Sequence, residues 1–142
     1  MALLVLRLVI AGAVLYALYQ IYHIVLNGMA IGKMRRIAAE RGDMSGLPHF
    51  QVAFPDWPSD KLRTVYTRIQ DTIALDDFPL FPDDKLIDLG LYEKDVLEMT
   101  EELIQSYGGQ KNLPAEPLQT ARDVVNYIGK ATPSEGTSNG TL

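Results

Sequence analysis

The first forty residues differ from the rest of the chain in how apolar and polar positions are arranged. Residues 8–26 read LVIAGAVLYALYQIYHIVL and carry no formal charge, and the apolar stretch extends back past Arg7. At about 1.5 Å rise per residue, about 20 helical residues cross a hydrocarbon core of roughly 30 Å. The pattern predicts a transmembrane helix over residues 1–27. A cleaved signal peptide is the main alternative, but residues 27–30 match its cleavage site poorly.

Four basic residues follow the apolar stretch closely, whereas only Arg7 and the amino terminus precede it. The four are Lys33, Arg35, Arg36 and Arg41. Cytoplasmic flanks carry the excess of Lys and Arg, so we expect a single-pass protein with its C-terminal region in the cytoplasm. Residues 28–41 are predicted to form a basic juxtamembrane helix whose side chains meet anionic lipid. Simple stop-transfer charges explain the same residues equally well.

Residues 42–59 change character, because glycines and three prolines interrupt regular structure. This composition predicts a linker. Phe50, Phe54 and Trp57 are more aromatic side chains than a purely flexible linker needs. We therefore expect the linker to dock on the domain that follows or on the membrane interface.

Residues 60–130 show the three- and four-residue spacing of amphipathic helices. One helix is predicted from Asp60 to Ile73, capped by Ser59 or Asp60, and a second from Tyr92 to Tyr107. A last helix, residues 121–130, is predicted to begin after Thr120 as its N-cap. The expected fold is all-α, with a single N-terminal transmembrane helix followed by a small helical domain. Residues 131–142 have the composition of a disordered tail.

Charge divides the chain in the same way. Residues 1–42 hold five Lys/Arg against a single acid, Glu40, whereas residues 43–142 hold eight Lys/Arg against seventeen acids. The acidic domain repels phosphates and favours basic protein surfaces, so no nucleic acid partner is expected. The chain has no cysteine, which excludes disulfides, thiolate nucleophiles and Cys-ligated metals.

The sequence offers no pattern typical of an enzyme or of a metal site. It lacks a glycine-rich phosphate loop, a Gly-x-Ser-x-Gly turn and a histidine placed to activate a nucleophile. The acids at positions 76–77, 83–84 and 88 lack the spacing of a calcium loop, so we interpret them as turn and cap residues. We predict a non-catalytic protein without a metal.

Several short segments follow one another in a recognisable order. Asp88-Leu89-Gly90 precedes a helix that contains Val96-Leu97-Glu98-Met99, and Leu113-Pro114 and residues 118–128 (LQTARDVVNYI) come after it. In this order, residues 60–130 resemble the acyl carrier protein family, which has a small all-α fold. The resemblance implies a small helical bundle for this region.

The chain departs from that family at one residue, Glu93, which stands where the family carries the serine modified with phosphopantetheine. A carboxylate cannot accept that phosphodiester, so phosphopantetheine is not expected as a cofactor. The resemblance implies instead an acidic face that recognises basic protein surfaces. An ordinary solvated helix face explains these acids equally well. They are Glu93, Asp95, Glu98, Glu101 and Glu102.

Polar residues recur at three- and four-residue steps within the apolar stretch, and therefore form one stripe on the predicted helix. They are Tyr16, Tyr19, Gln20, His23 and Asn27. Polar groups in lipid are costly and usually face protein, so the stripe predicts contact with another membrane subunit. Neutral imidazole also ligates metals, which makes a haem or chlorophyll-type pigment at His23 an alternative.

Together these patterns predict a single-pass, membrane-anchored protein-interaction module, expected to be an accessory or assembly subunit of a larger membrane complex. Its expected partners are the lipid membrane, other membrane-protein subunits and basic protein surfaces. Two alternatives stay open. One is a complex subunit whose transmembrane helix packs against or ligates a pigment or haem through His23, and the other is a true acyl or lipid carrier.

Overall fold

Helices form all the regular structure in residues 1–42 and 46–132, which are the residues described by the computed structural model. This confirms the all-α prediction. The elements are α1 (Ala2–Arg41), α2 (Gly46–Ala53), α3 (Ser59–Thr72), a 3₁₀ helix (Leu86–Leu89), α4 (Glu93–Ser106) and α5 (Ala121–Ala131). Of the predicted tail, Ala131 ends α5 and Thr132 caps it. Positions 133–142 lie outside the described residues.

Helix α1 is one unbroken element of 40 residues, where the sequence predicted a membrane helix and a separate juxtamembrane helix. Its most apolar part has a mean hydropathy of 2.2, and none of that part is buried by the rest of the chain. The last three turns differ, because Met34 is completely buried and Ile31, Ile37 and Ala38 pack against the core. Among the described residues, one helix is therefore long and apolar enough to cross a membrane, and a helical body packs on its C-terminal end.

The prediction of a linker over residues 42–59 is wrong for its central part, which forms α2. Pro48 lies in the first turn of α2, where a missing backbone N–H costs no helical hydrogen bond. Phe50 is completely buried and Phe54 nearly so, and the Phe50 ring packs on Tyr66 of α3 at 5.3 Å between centroids. Trp57 is half-buried and lies against Gly129 of α5. The aromatic residues of this segment thus belong to the core.

Helices α3, α4 and α5 each bury one apolar face, as their spacing predicts. The buried residues are Leu62, Val65 and Ile69 of α3, Val96, Met99, Leu103 and Ile104 of α4, and Val124, Val125 and Ile128 of α5. Contacts from Arg68 to Glu102 and from Tyr107 to Lys61 show that α3 and α4 run antiparallel. Burial of about ten such side chains favours folding by on the order of tens of kcal/mol before the loss of conformational entropy is subtracted.

Local signals set the ends of these helices. Thr120 caps α5: its hydroxyl accepts the Asp123 N–H at 3.2 Å, and the Asp123 carboxylate accepts the Thr120 N–H at 2.9 Å. Gly90 ends the 3₁₀ helix with a φ of 78°, a left-handed conformation that glycine adopts without strain. The predicted cap of α3 is wrong, because Pro58 is its N-cap and no side chain caps that end.

Candidate functional site

The 3₁₀ helix ends at Gly90, and α4 begins three residues later at Glu93. The backbone N–H of Tyr92 donates to the Asp95 carboxylate at 3.3 Å, so Asp95 serves as part of the helix cap. Glu93 itself is exposed at this end. A carboxylate there is favoured by the partial positive charge of the helix N-terminus.

The acids farther along α4 are mostly paired with basic residues of the same body. Glu101 lies 2.6 Å from the Lys111 ammonium, Glu102 pairs with Arg68, and Glu98 lies 3.6 Å from Lys94. These contacts neutralise part of the face that the sequence predicted to be acidic. Within the described part of the chain, Glu93 has neither an ion pair nor a helix-capping bond.

Beside Glu93 lies a groove that the sequence did not predict. Its volume is about 360 Å³, and its floor and walls include Val96, Leu97, Leu113 and Leu118. Leu97 is only half-buried and lines this groove, and Leu113 is 76% exposed. The exposed leucine between α4 and α5 is the sequence signal that could have indicated the groove.

A second hollow of about 370 Å³ adjoins the first and shares Glu93, Val96 and Leu118 with it. Lys85, Ile87 and Leu91 line its other side. The two hollows together form an apolar trough across the start of α4, with the free Glu93 carboxylate at its edge. None of the described residues that line either hollow is a histidine or a serine.

The basic end of α1 is joined to the body by two ion pairs. The Arg41 guanidinium donates to both carboxylate oxygens of Asp84, at 2.8 and 2.5 Å, and to the Pro79 carbonyl. It also lies 3.9 Å from the centre of the Phe81 ring. Lys33 meets Asp88 at 2.8 Å.

These contacts correct the prediction for Arg41, whose side chain is only 16% exposed and bound to the body rather than free for the membrane surface. The bidentate geometry with Asp84 and the ring beneath it suit a guanidinium better than a lysine ammonium. Lys33 is about half-exposed in its pair with Asp88. Arg35 and Arg36 are exposed, and Arg36 lies 3.9 Å from Glu40.

A third ion pair involves the loop between α3 and the 3₁₀ helix, where Arg122 of α5 donates to Asp83 at 2.7 Å. The hydrogen bond from Arg122 lowers the pKa of the Asp83 carboxyl, and the same bond raises the pKa of Arg122. Asp83, Asp84 and Asp88 are thus each matched by a cation, so this loop presents little net negative charge towards α1.

The polar stripe of α1 is exposed along its whole length and makes no contact with the body. Tyr19 packs edge-on against the His23 ring at 4.4 Å between centroids, and Tyr22 does so at 6.1 Å. Gln20 and Asn27 are exposed on the same helix. The helical spacing brings the predicted residues to one side, far from the trough at α4.

No protein-family model, curated protein or solved structure matches this chain. Function is therefore inferred from the geometry of the chain itself.

Proposed function

We propose that this protein is a single-pass, membrane-anchored and non-catalytic interaction module that serves as an accessory or assembly subunit of a larger membrane complex. The observation that carries the proposal is the division of α1 into an uncovered apolar part and a part packed into the body. Side chains from Leu3 to Met29 are exposed on every side of the helix. Soluble proteins rarely expose apolar patches larger than a few hundred Å².

Transfer of these side chains into a bilayer is strongly favourable. Each buried Val, Leu or Ile contributes about 1.5–3 kcal/mol, so the apolar part of α1 gains on the order of tens of kcal/mol from lipid. Lys33, Arg35 and Arg36 directly follow that part, which favours a cytoplasmic body. Because α1 is continuous, the body is held close to the membrane rather than on a flexible tether.

Two surfaces support the role in an assembly. The stripe of Gln20, His23 and Asn27 has hydrogen-bonding groups that a neighbouring transmembrane helix can satisfy. The first hollow of the trough, lined by Leu97, Leu113 and Leu118, has an apolar floor with the free Glu93 carboxylate at its edge, which suits an apolar anchor flanked by basic residues on a partner subunit.

The body is further proposed to be a degenerate acyl-carrier-like domain. The order of α3, the 3₁₀ helix, α4 and α5, together with the left-handed Gly90, supports that reading. Glu93 at the first position of α4 argues against a phosphopantetheine arm. Intact mass spectrometry of the purified chain tests this point: the mass should equal that of the polypeptide, whereas a phosphopantetheine increment would revive an acyl-carrier role.

The assembly role is tested by purification from native membranes in mild detergent, followed by quantitative mass spectrometry of what co-purifies. Replacing both Glu93 and Glu98 with Lys should release a defined partner. Asp71→Lys makes the same kind of charge change on the exposed face of α3 and should retain that partner. Equal recovery of every co-purifying protein with all variants would contradict the docking role of α4.

The stripe is tested separately, because its partner lies in the membrane. Gln20→Leu with His23→Leu should weaken assembly, whereas Leu18→Val, on the opposite side of α1, should not. An absorption spectrum of the same preparation addresses the pigment alternative. A Soret band that disappears in the His23 variant would replace the interaction role with tetrapyrrole ligation.

A further inference from the structure

The 3₁₀ helix lies unusually close to the point where α1 would leave the bilayer. Ile31 of α1 is already partly covered by the body, only five residues after Leu26, which is roughly 7 Å along the helix. Lys33, two residues farther on, holds Asp88 of the 3₁₀ helix. The headgroup region of one leaflet is roughly 5–8 Å thick. Lys33 is roughly 10 Å beyond Leu26 along the helix, so the 3₁₀ helix lies at the outer edge of the headgroup layer.

The side chains on this part of the body suit such a position. Ile87 is 59% exposed although it belongs to an element whose neighbours Leu86 and Leu89 are buried. Lys85 is exposed just before it. An exposed isoleucine beside a lysine is the pairing that interfacial lipid binding uses, since one enters the apolar boundary and the other meets a phosphate.

Anionic lipid would repel an acidic surface, so the charges around the 3₁₀ helix matter for this contact. Three carboxylates close to the 3₁₀ helix, Asp83, Asp84 and Asp88, form ion pairs with Arg122, Arg41 and Lys33 respectively. Lys85 is exposed beside them, and Arg35 and Arg36 are exposed on α1, where Arg36 lies 3.9 Å from Glu40. The surface around the 3₁₀ helix is thus close to neutral, and the carboxylate without an ion pair that lines the same hollow as Lys85 and Ile87 is Glu93.

We propose that Lys85 and Ile87 form a second membrane contact, in which the 3₁₀ helix rests on anionic phospholipid headgroups beside α1. This contact rests on the proposed membrane span of α1. It would fix the rotation of the body about α1 and so determine which side of α4 faces away from the lipid. The partner of this surface is the lipid headgroup layer and not another protein.

The absence of cysteine from the chain allows a direct test with single-cysteine variants of the full-length protein. Leu15→Cys, Ile87→Cys and Val52→Cys are each labelled with an environment-sensitive fluorophore and reconstituted into vesicles of phosphatidylcholine and phosphatidylserine that contain quencher-bearing lipids. Val52 is the matched control, because it is an exposed aliphatic residue on α2. That helix packs through His49 on Phe81, beside Arg41, which lies roughly 12 Å beyond Lys33 along α1.

The expected result is loss of fluorescence at positions 15 and 87 but not at position 52. Quenching at position 15 alone would overturn the headgroup contact and leave the membrane span intact. No quenching at position 15 would overturn the span and the contact together. Equal quenching at positions 52 and 87 would show that lipid does not prefer the 3₁₀ helix, and would also overturn the contact.

Lipid charge provides a second measurement on the same samples. Vesicles of phosphatidylcholine alone should reduce the quenching at position 87 and leave that at position 15 unchanged, because the attraction of Lys85 and its neighbours to anionic lipid is lost. Lys85→Gln should produce part of that reduction in the anionic vesicles. If quenching at position 87 stays the same in the neutral vesicles and with Lys85→Gln, the electrostatic part of the proposal is overturned.

Discussion

The two parts of α1 have the same backbone conformation and opposite surroundings. Met29 and Met34 lie five residues apart in one helix, yet Met29 is 69% exposed and Met34 is completely buried. Before Met29 the helix carries exposed apolar residues on every side together with one polar stripe, whereas after it the apolar residues pack against the body and Lys33 and Arg41 form ion pairs with it. The difference teaches that the end of the apolar stretch is where the body begins, with little or no spacer between them.

The largest expected effect comes from shortening the buried methionine. Met34→Ala should lower the free energy of unfolding of the body by about 2–5 kcal/mol, because it removes buried contacts and leaves a cavity. Met29→Ala is the matched control in the same helix and should change that free energy by less than about 0.5 kcal/mol. Urea unfolding in detergent, followed through Trp57, the single tryptophan of the chain, measures both. Equal effects of the two variants would contradict the division of α1.

The next largest effect concerns the ion pair between Arg41 and Asp84, which holds the end of α1 on the body. Arg41→Ala should destabilise the body by about 2–3 kcal/mol, less than for a fully buried pair, because Asp84 would lose its cation while only 14% exposed. Arg36→Ala serves as the control, since Arg36 is 75% exposed and 3.9 Å from Glu40, and it should cost about 0–0.5 kcal/mol. The same unfolding measurement applies. A loss with Arg36→Ala as large as that with Arg41→Ala would show that general charge, not the Asp84 contact, matters.

A smaller effect is expected at high pH. Burial raises the pKa of Tyr66 above its usual value of 10.0, although a backbone hydrogen bond from Leu80 opposes the shift. The neutral form is favoured in the folded state, so this contribution is fully present below pH 10.0 and is lost as pH rises through the higher folded pKa. Unfolding curves at increasing pH should show that loss, and Tyr66→Phe should reduce the dependence. If Tyr66→Phe leaves the pH dependence of unfolding unchanged, that dependence comes from another group.

The smallest effect is expected at Lys33. Its pair with Asp88 is nearly half-exposed on both sides, so Lys33→Gln should lower body stability by only about 0.2–1 kcal/mol. Arg35→Gln, which removes an exposed charge two residues away, is the control and should have less effect on unfolding. A loss of stability with Lys33→Gln as large as that with Arg41→Ala would mean that both ion pairs hold α1 on the body equally.

Periodicity was enough to predict α3, α4 and α5 to within one or two residues, since each buries one apolar face in the same body. The N-cap at Thr120 also follows from the sequence, because a hydroxyl and an acid three residues later satisfy the first N–H groups of α5. A long apolar helix at the start of the chain also follows from the sequence, because residues 8–26 carry no formal charge, but its unbroken continuation to Arg41 was not predicted. These are local properties of short segments.

Residues whose role depends on distant partners were not predictable in that way. The three prolines of residues 42–59 suggested a linker, although Pro48 fits the first turn of α2 and the four-residue spacing of Phe50 and Phe54 was a helical signal. Arg41 looked like a membrane-surface residue until Asp84, 43 positions away, was placed beside it. The pairing of Glu101 with Lys111 likewise appears only when the loop after α4 is folded back.

The central claim is that α1 passes from lipid to protein within a few residues. Single cysteines placed along α1 in the full-length protein, in sealed vesicles, can be tested for reaction with a membrane-impermeant maleimide. The prediction is protection throughout residues 8–26 and rapid reaction at the exposed positions 35, 36 and 40, where the helix faces water beside the body. Rapid reaction across residues 8–26 would show that this part of α1 lies in water and would contradict the account.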